Sequence, residues 1–434
     1  MVPVLPVIRT ERKGPPMQTE AAVKNKSLPL ARLYVPFAES LPFRYLWLAQ
    51  LVSVLGSSVT TVILPMVVYS TTGSATTMGL TMALYMLPNV LMLPVSGWIV
   101  DRYDRVRLMA VSDLVRFVIM AVLAALVLSG RLTIPLLYGL VVVYGLMDGL
   151  FQPAYAAVRA VVFTPPIRNA ANALSQLGNQ IVRLLGPSLG GLIALTSTGV
   201  GFSLDALTYL VSFFFLLLLR RAAPLRNSRS GTPVRIREDF REGIDVLRSH
   251  PWLWITILAF SFINICYSGL VVVLIPWLFK IHLQLNSFAY GAAVTCSGIG
   301  AIAAALIFGS RPRWRKRGLL AYGGAGLSGL ALLAMSFADT PILLGMLMAL
   351  EGFGLMAFGL IWETSLQELV PEEAFGRVAS LDMMGSFMLL PAGYLLVGWL
   401  ADRIGGLSTI ALFSSLGLAA VILLLLVPSI RRFD

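Results

Sequence analysis

The sequence predicts an all-α polytopic membrane protein, with about twelve transmembrane helices in two six-helix bundles. Three observations predict it. Of 434 residues, 57% are hydrophobic and 12% charged, with a mean hydropathy of +0.83; a soluble chain carries roughly 25% charged residues. Apolar runs of about 20 residues, each long enough for a hydrocarbon core of about 30 Å, recur along almost the whole chain. Of the 33 Lys and Arg, about 28 fall on one side of the resulting topology and about 3 on the other, with Arg116 and Arg183 inside spans. That bias places the basic side in the cytoplasm, and it accounts for the net charge of +12 without a nucleic-acid partner. Barrel strands are excluded, because they would alternate polar and apolar residues over segments of about 10 residues.

Residues 1–44 hold five Lys and Arg before residue 27 among prolines and polar residues, and are expected to be a disordered cytoplasmic tail. No apolar core of signal-peptide length precedes the first span, so that span reads as an uncleaved anchor, with Met17 an alternative start. The N-terminal bundle is expected over 45–219, with spans at 45–69, 78–100, 108–128, 134–157, 170–195 and 201–219. A cytoplasmic loop follows at 220–251. Its second part sets Ile236, Phe240, Ile244 and Leu247 at helical spacing among charges, the pattern of a helix lying on a membrane surface. The C-terminal bundle, 252–428, has spans at 252–279, 290–308, 319–337, 342–362, 378–400 and 407–427, and 429–434 is a short cytoplasmic tail. Cys266 and Cys296 both fall in spans and read as free packed thiols.

The halves repeat at an offset of 209: Gly145-Leu146-Met147 falls on Gly354-Leu355-Met356, Arg168 on Arg377, and Arg102 and Arg107 on Arg311 and Lys316. Two halves of six spans in the same orientation imply a pseudo-twofold axis along the membrane normal, with the working site between them.

The turn at 97–107 joins the second and third spans on the basic side and reads Gly97-Trp98-Ile99-Val100-Asp101-Arg102-Tyr103-Asp104-Arg105. It resembles the signature Gly-x-x-x-Asp-Arg-x-x-Arg of the major facilitator superfamily, carried here by Gly97, Asp101, Arg102 and Arg105. Gln152-Pro153-Ala154, the run at 169–173 and Gly186-Pro187-Ser188-Leu189-Gly190-Gly191 are similar to the branch holding macrolide efflux and siderophore export permeases. The last resembles a glycine-proline element associated with antiporters; in physical terms Gly186, Pro187, Gly190 and Gly191 are packing residues first. The resemblance implies the major facilitator fold and makes Gly97, Asp101, Arg102 and Arg105 a cytoplasmic gate, with Asp101 latching onto the start of the eleventh helix near Gly376 and Arg377. Two positions depart from it: Ser310 stands where the repeat would carry Asp101, and Gly56 is followed by Ser57 where relatives often have an acid. Asp402-Arg403 has the wording of the signature but follows the eleventh span on the opposite side, so it is not read as a second copy.

Ionisable groups inside a bilayer need partners or water, at about 2.5–3.5 kcal/mol each on insertion scales. Glu351 lies about 18 Å from the cytoplasmic end of the tenth span by helical rise, where desolvation favours a carboxyl that exchanges a proton for substrate. It is the first proton-coupling candidate and Asp148 the second. Arg183, about 21 Å from the same end of the fifth span, is the expected basic partner of one of them. Asp113 and Arg116 read as a local i,i+3 pair. The resembled fold lines its cavity with helices 1, 4, 7 and 10, which offers Gln50, Ser53 and Ser57, then Gln152 and Tyr155, then Asn264 and Tyr267, then Phe358 and Trp362; Gln176 belongs to a polar stripe on the fifth span.

Together these features predict a secondary transporter, a proton-coupled exporter of small amphipathic drugs or siderophore-like molecules, with a lipid or lysolipid flippase of the same fold as the alternative and a non-transporting membrane receptor or scaffold behind it. Protons, the bilayer and the substrate are the expected partners of a monomer with no cofactor and no metal. An enzyme is disfavoured because His250 and His282 have no acidic or histidine neighbour at ligand or acyltransferase spacing, and no Walker loop is present.

Overall fold

In the computed structural model, residues 29–223, 244–245, 247–309, 314–370 and 372–431 are described, and within them the side chains of 29–33, 93–94, 101, 169, 372–374 and 376–377 are not. A first helix, α1 (Pro29–Glu39), stands where the tail was expected to be irregular. Its Phe37 ring packs edge-on against Phe43 and Trp47, at 5.4 and 5.0 Å between centroids, and this aromatic contact orders it against the bundle.

Six long helices follow: α2 (Leu41–Thr72), α3 (Ala75–Arg102), α4 (Arg105–Leu128), α5 (Ile134–Val162), α6 (Arg168–Thr196) and α7 (Thr198–Ala222). Their ends are capped as the sequence dictates. Ser40 and Ser74 accept the amides of Phe43 and Thr77 at the starts of α2 and α3, and Gly73 closes α2 at a φ of +66°. Asp104, inside the signature turn, caps α4 through the Arg107 amide at 3.0 Å and binds Arg220 of α7 at 2.9 Å.

The second half comprises α8 (Pro251–His282), α9 (Ser287–Gly309), α10 (Arg317–Met335), α11 (Pro341–Leu369), α12 (Glu372–Phe387), α13 (Leu390–Ile404) and α14 (Gly406–Leu426), closed by α15 (Pro428–Arg431). α8 widens to i→i+5 bonding over Leu270–Leu274 and Leu278–His282, which accommodates Pro276, a residue with no amide to give the regular ladder. The eleventh predicted span is divided: Pro391 withholds its amide just after the break between α12 and α13. Most of the amphipathic stretch expected at 236–247 lies outside the described residues, as does Ser310.

Eleven spans among the described residues are long and apolar enough to cross a membrane. The twelfth expected span, α6, is 29 residues long but falls short of that apolarity because of its polar stripe. The chain is therefore a multi-pass membrane protein of two helical bundles.

The bundles meet at α3 with α13 and at α6 with α9. Glycines set the approach. A Cβ at Gly79 would lie 2.3 Å from the Tyr394 carbonyl oxygen, one at Gly398 2.3 Å from that of Ala75, and one at Gly291 2.3 Å from that of Pro187. All three sit in the half of the molecule away from the basic turns, called the far end below. Gly398→Ala should wedge this seam and lower stability by about 1–3 kcal/mol. Gly323→Ala, in α10 with nothing within 4 Å of the added carbon, should gain about 0.5–1 kcal/mol. Thermal unfolding in detergent that fails to separate the two variants would contradict this reading of the seam.

Candidate functional site

Between the bundles lies a cavity with two lobes. The larger, 370 Å³, is bounded mainly by α2–α5 with residues of α8, α9, α11 and α13; the smaller, 310 Å³, lies within the C-terminal bundle. Met86, Val271, Val272 and Tyr394 border both, so the two lobes are adjacent. The larger lobe is lined by five methionines, Met78, Met82, Met86, Met120 and Met348, and four tyrosines, Tyr85, Tyr144, Tyr290 and Tyr394. Unbranched thioether side chains re-pack around differently shaped apolar ligands, while tyrosine offers a broad face with a single polar tip.

Glu351 reaches from one lining to the other. It is 3% exposed, borders the smaller lobe, and accepts a hydrogen bond at 3.0 Å from Ser297, which borders the larger. No cation lies within ion-pair distance of it among the described residues. Asn264 and Tyr267 also border the smaller lobe, and Asn264 donates to the Ser386 carbonyl at 3.1 Å. Ser57 borders the larger lobe and bonds the Tyr209 hydroxyl at 2.8 Å.

The other expected cavity residues border neither lobe. Phe358 stacks on Phe260 at 3.7 Å between centroids and lies next to Trp362, itself edge-on to Trp252. That places Phe358 and Trp362 in the packed core of the C-terminal bundle, and Trp362 donates to Asp382 at 3.1 Å. Gln152 and Gln176 are exposed, Tyr155 and Gln50 half-buried, and Ser53 turns its hydroxyl to the Gln50 carbonyl.

The basic partner is also different from the one expected. Arg183 is exposed and forms no ion pair with Asp148 or Glu351. Arg116 of α4, 3% exposed, instead reaches Asp113 and Asp148, at 3.5 Å each. The local pair with Asp113 is thus one arm of a fork. Tyr85 and Asn89 complete the Asp148 shell, each donating at 2.9 Å. Asp148 is held in a structural network behind the cavity wall, since its oxygens are taken up by three donors. Arg116 also lies 4.4 Å from the Phe151 ring centroid and 5.4 Å from that of Tyr209, cation–π contacts that offset its desolvation.

The helix-5 element packs on two sides. A Cβ at Gly186 would strike Ser58, one at Gly190 would lie 2.9 Å from the Val59 carbonyl, and one at Gly191 2.6 Å from that of Ser287. In the signature turn, Gly97 has open space around it and Arg102 lies over the exposed Trp98 ring at 4.3 Å. Arg105 is half-buried. The side chains of Asp101, Gly376 and Arg377, on which the latch expectation rests, lie outside the described residues.

The far end carries a contact that sequence reading passed over. Asp402, at the end of α13, accepts hydrogen bonds from the Ser74 hydroxyl at 2.6 Å and from the backbone amides of Ala75 and Thr76 at 2.9 Å each. A carboxylate of one bundle thus caps the helix that opens in the other, where the dipole and free amides favour an anion. Tyr69 donates across to the Val273 carbonyl at 2.5 Å, and Ser188 bonds Thr295 at 2.7 Å.

The sequence pattern of the Major Facilitator Superfamily matches residues 46–393. Macrolide efflux protein A of Streptococcus pyogenes is 22% identical over 403 residues, 91% of this chain and 98% of its own length. The multidrug efflux pump Tap of Mycolicibacterium fortuitum is 23% identical over 412 residues, 91% of this chain and 97% of its own. Among solved structures, a bacterial homologue of the iron transporter ferroportin in an inward-facing state superposes with a TM-score of 0.67 at 16% identity, covering 89% of this chain and 97% of that one. That last likeness is one of fold alone.

Proposed function

The chain belongs to the Major Facilitator Superfamily and is a secondary transporter rather than an enzyme, and we propose that it exports small amphipathic molecules in exchange for protons by alternating access. The observation that carries this reading is the composition of the central cavity: a methionine- and tyrosine-lined lobe beside a smaller one whose single carboxyl among the described lining residues is the buried Glu351. Such a lining binds apolar bodies of varied shape and offers few fixed hydrogen bonds to a sugar-like ligand. Glu351 has Ser297 as its neighbour and no cation beside it, so it can carry a proton when neutral and release it when the cavity is hydrated. The two efflux proteins above, matched over nearly their whole lengths, support the export direction, and the basic side of the topology is read as cytoplasmic.

The test is transport by the purified protein in proteoliposomes under an imposed pH gradient, using a panel of macrolides, cationic dyes and lysolipids. Uphill movement of a macrolide or dye is expected. Glu351→Gln should abolish it while sparing counterflow exchange, which needs no net proton movement. Unchanged uphill transport in the variant removes Glu351 from coupling, and movement of lysolipid alone points to a flippase.

A further inference from the structure

One buried carboxyl is used by nothing described so far. Asp205, two turns into α7, is fully buried; Thr60 of α2 donates to Oδ2 at 2.5 Å, while the Thr208 hydroxyl lies 3.3 Å from Oδ1 and donates chiefly to the Asp205 backbone carbonyl at 2.7 Å. No Lys, Arg or His lies within ion-pair distance among the described residues. We propose that Asp205 is a second proton-binding site, in the N-terminal bundle, opening to the cavity through Thr60.

Three features of geometry support it. First, α2 is shaped to receive the carboxyl: a Cβ at Gly56 would lie 2.4 Å from Asp205 Oδ1 and 2.0 Å from Thr208 Oγ1, so only glycine leaves room there. Second, Thr60 is in the cavity wall, as is Ser57 one turn before it. The carboxyl is therefore one hydroxyl away from the space that substrate and water share. Third, the charges around it do not balance. On α4, Asp113 and Arg116 face this region; on α5, Tyr144 and Asp148; on α7 itself, Tyr209, which bonds Tyr144 at 2.6 Å. α2 contributes Gly56, Ser57 and Thr60, none titratable, and the arginines of α6, Arg168 and Arg183, are exposed. Arg116 is already divided between Asp113 and Asp148, so an ionised Asp205 would add an uncompensated charge in a low-dielectric interior. Binding a proton removes that charge.

The proton moves by a balanced relay. The carboxyl O–H of neutral Asp205 passes to Thr60 Oγ as the Thr60 O–H passes to a cavity water. This leaves Asp205 as carboxylate, Thr60 unchanged and one hydronium in the cavity. Ser57, the position without an acid on α2, thus lies beside an acid supplied by the neighbouring helix. Paired with Glu351 this gives each bundle one proton-binding carboxyl, and the use of Asp205 in transport rests on the exchange mechanism proposed above.

The test does not need the substrate. Infrared difference spectra of the purified protein in lipid, titrated between about pH 5 and 9, read the C=O stretch of protonated carboxyls. The wild type is expected to lose a band that is absent from Asp205→Asn and retained in Glu351→Gln. Gly56→Ala should shift that band, because the added methyl displaces the carboxyl without removing it. Asp205→Asn is close to isosteric and keeps an acceptor for Thr60, and its elution and melting temperature serve as the folding check. A titration spectrum identical in wild type and Asp205→Asn overturns the proposal. If the band behaves as expected but no pH gradient drives transport in the wild type, the site stands and proton exchange as the mechanism falls. If wild-type transport is proton-driven and Asp205→Asn leaves both its rate and the spectrum unchanged, the reverse holds.

Discussion

Arg116→Met is expected to destabilise the N-terminal bundle by about 3–5 kcal/mol, the usual consequence of removing one partner from a buried ionic group. The guanidinium is 3% exposed and serves Asp113 and Asp148, at 3.5 Å each. It also donates to the Met147 carbonyl at 3.2 Å. Methionine fills a similar volume and keeps much of the contact with Phe151, so the effect isolates the charge. Two carboxylates would be left facing each other across α4 and α5 with only Ser212, Tyr85 and Asn89 as donors. For a bundle of this size, the loss corresponds to a melting temperature lower by on the order of 10 °C. The combination Arg116→Met, Asp113→Asn, Asp148→Asn should recover most of it, since the amides need no counter-charge. A melting temperature unchanged in the single variant, or no recovery in the triple, would show that the fork does not hold the bundle together. Charge reversal at the exposed Arg183 is expected to leave stability near that of the wild type.

The contrast between Arg116 and Arg183 shows what the sequence exposes and what it conceals. Span count, the duplicated halves and the signature turn are one-dimensional features: apolar run lengths, an offset and a spacing. The helical fold class and the order of long helices carried over to the structure, with eleven helices among the described residues apolar enough to span, and the break before Pro391 and the helix at Pro29–Glu39 as differences. Which of two intramembrane arginines meets which acid depends on helix rotation and depth on neighbouring helices, and rise per residue supplies only depth. Arg183, placed by depth near Asp148, is exposed and makes no ion pair with it; Arg116, read as a local partner of Asp113, reaches across to α5. Phe358 and Trp362 illustrate the same limit, since an aromatic stripe is equally suited to a cavity wall and to the stacked core it forms with Phe260 and Trp252. Asp205 was legible only as an acid within an apolar run, and nothing local marked Gly56 and Thr60 as its neighbours. Glu351, by contrast, borders the smaller lobe.

Asp402→Ala is expected to shift the far end from closed to open. In the structure the carboxylate holds the Ser74 hydroxyl and the amides of Ala75 and Thr76, and hydrogen bonds to a charged group contribute about 1.5–3 kcal/mol each. Water replaces part of that when the helix start is uncovered, and a net loss of about 3 kcal/mol shifts the population ratio roughly hundredfold. The change is measurable as a distance distribution between spin labels on Thr71 and Arg403, both exposed at that end, after replacement of the native Cys266 and Cys296. The wild type should give one short distance and Asp402→Ala a predominantly longer one. Asp402→Asn should fall between them, because its single acceptor oxygen can serve one amide but lacks the charge that the helix dipole favours. Glycine contacts at Gly79, Gly398 and Gly291 resist opening only by dispersion, whose short range is lost within an ångström of separation. Tyr69 with Val273 and Ser188 with Thr295 add one neutral hydrogen bond each, so the carboxylate, a charged group accepting three bonds, is the largest polar contribution to keeping the end shut. An acid-arginine pair in the wording of the signature, at the opposite end of the eleventh helix, here meets the start of the second helix: the same two helices that the signature turn is expected to join on the basic side. A distance distribution unchanged in Asp402→Ala would assign closure to the glycine seam and the neutral hydrogen bonds instead.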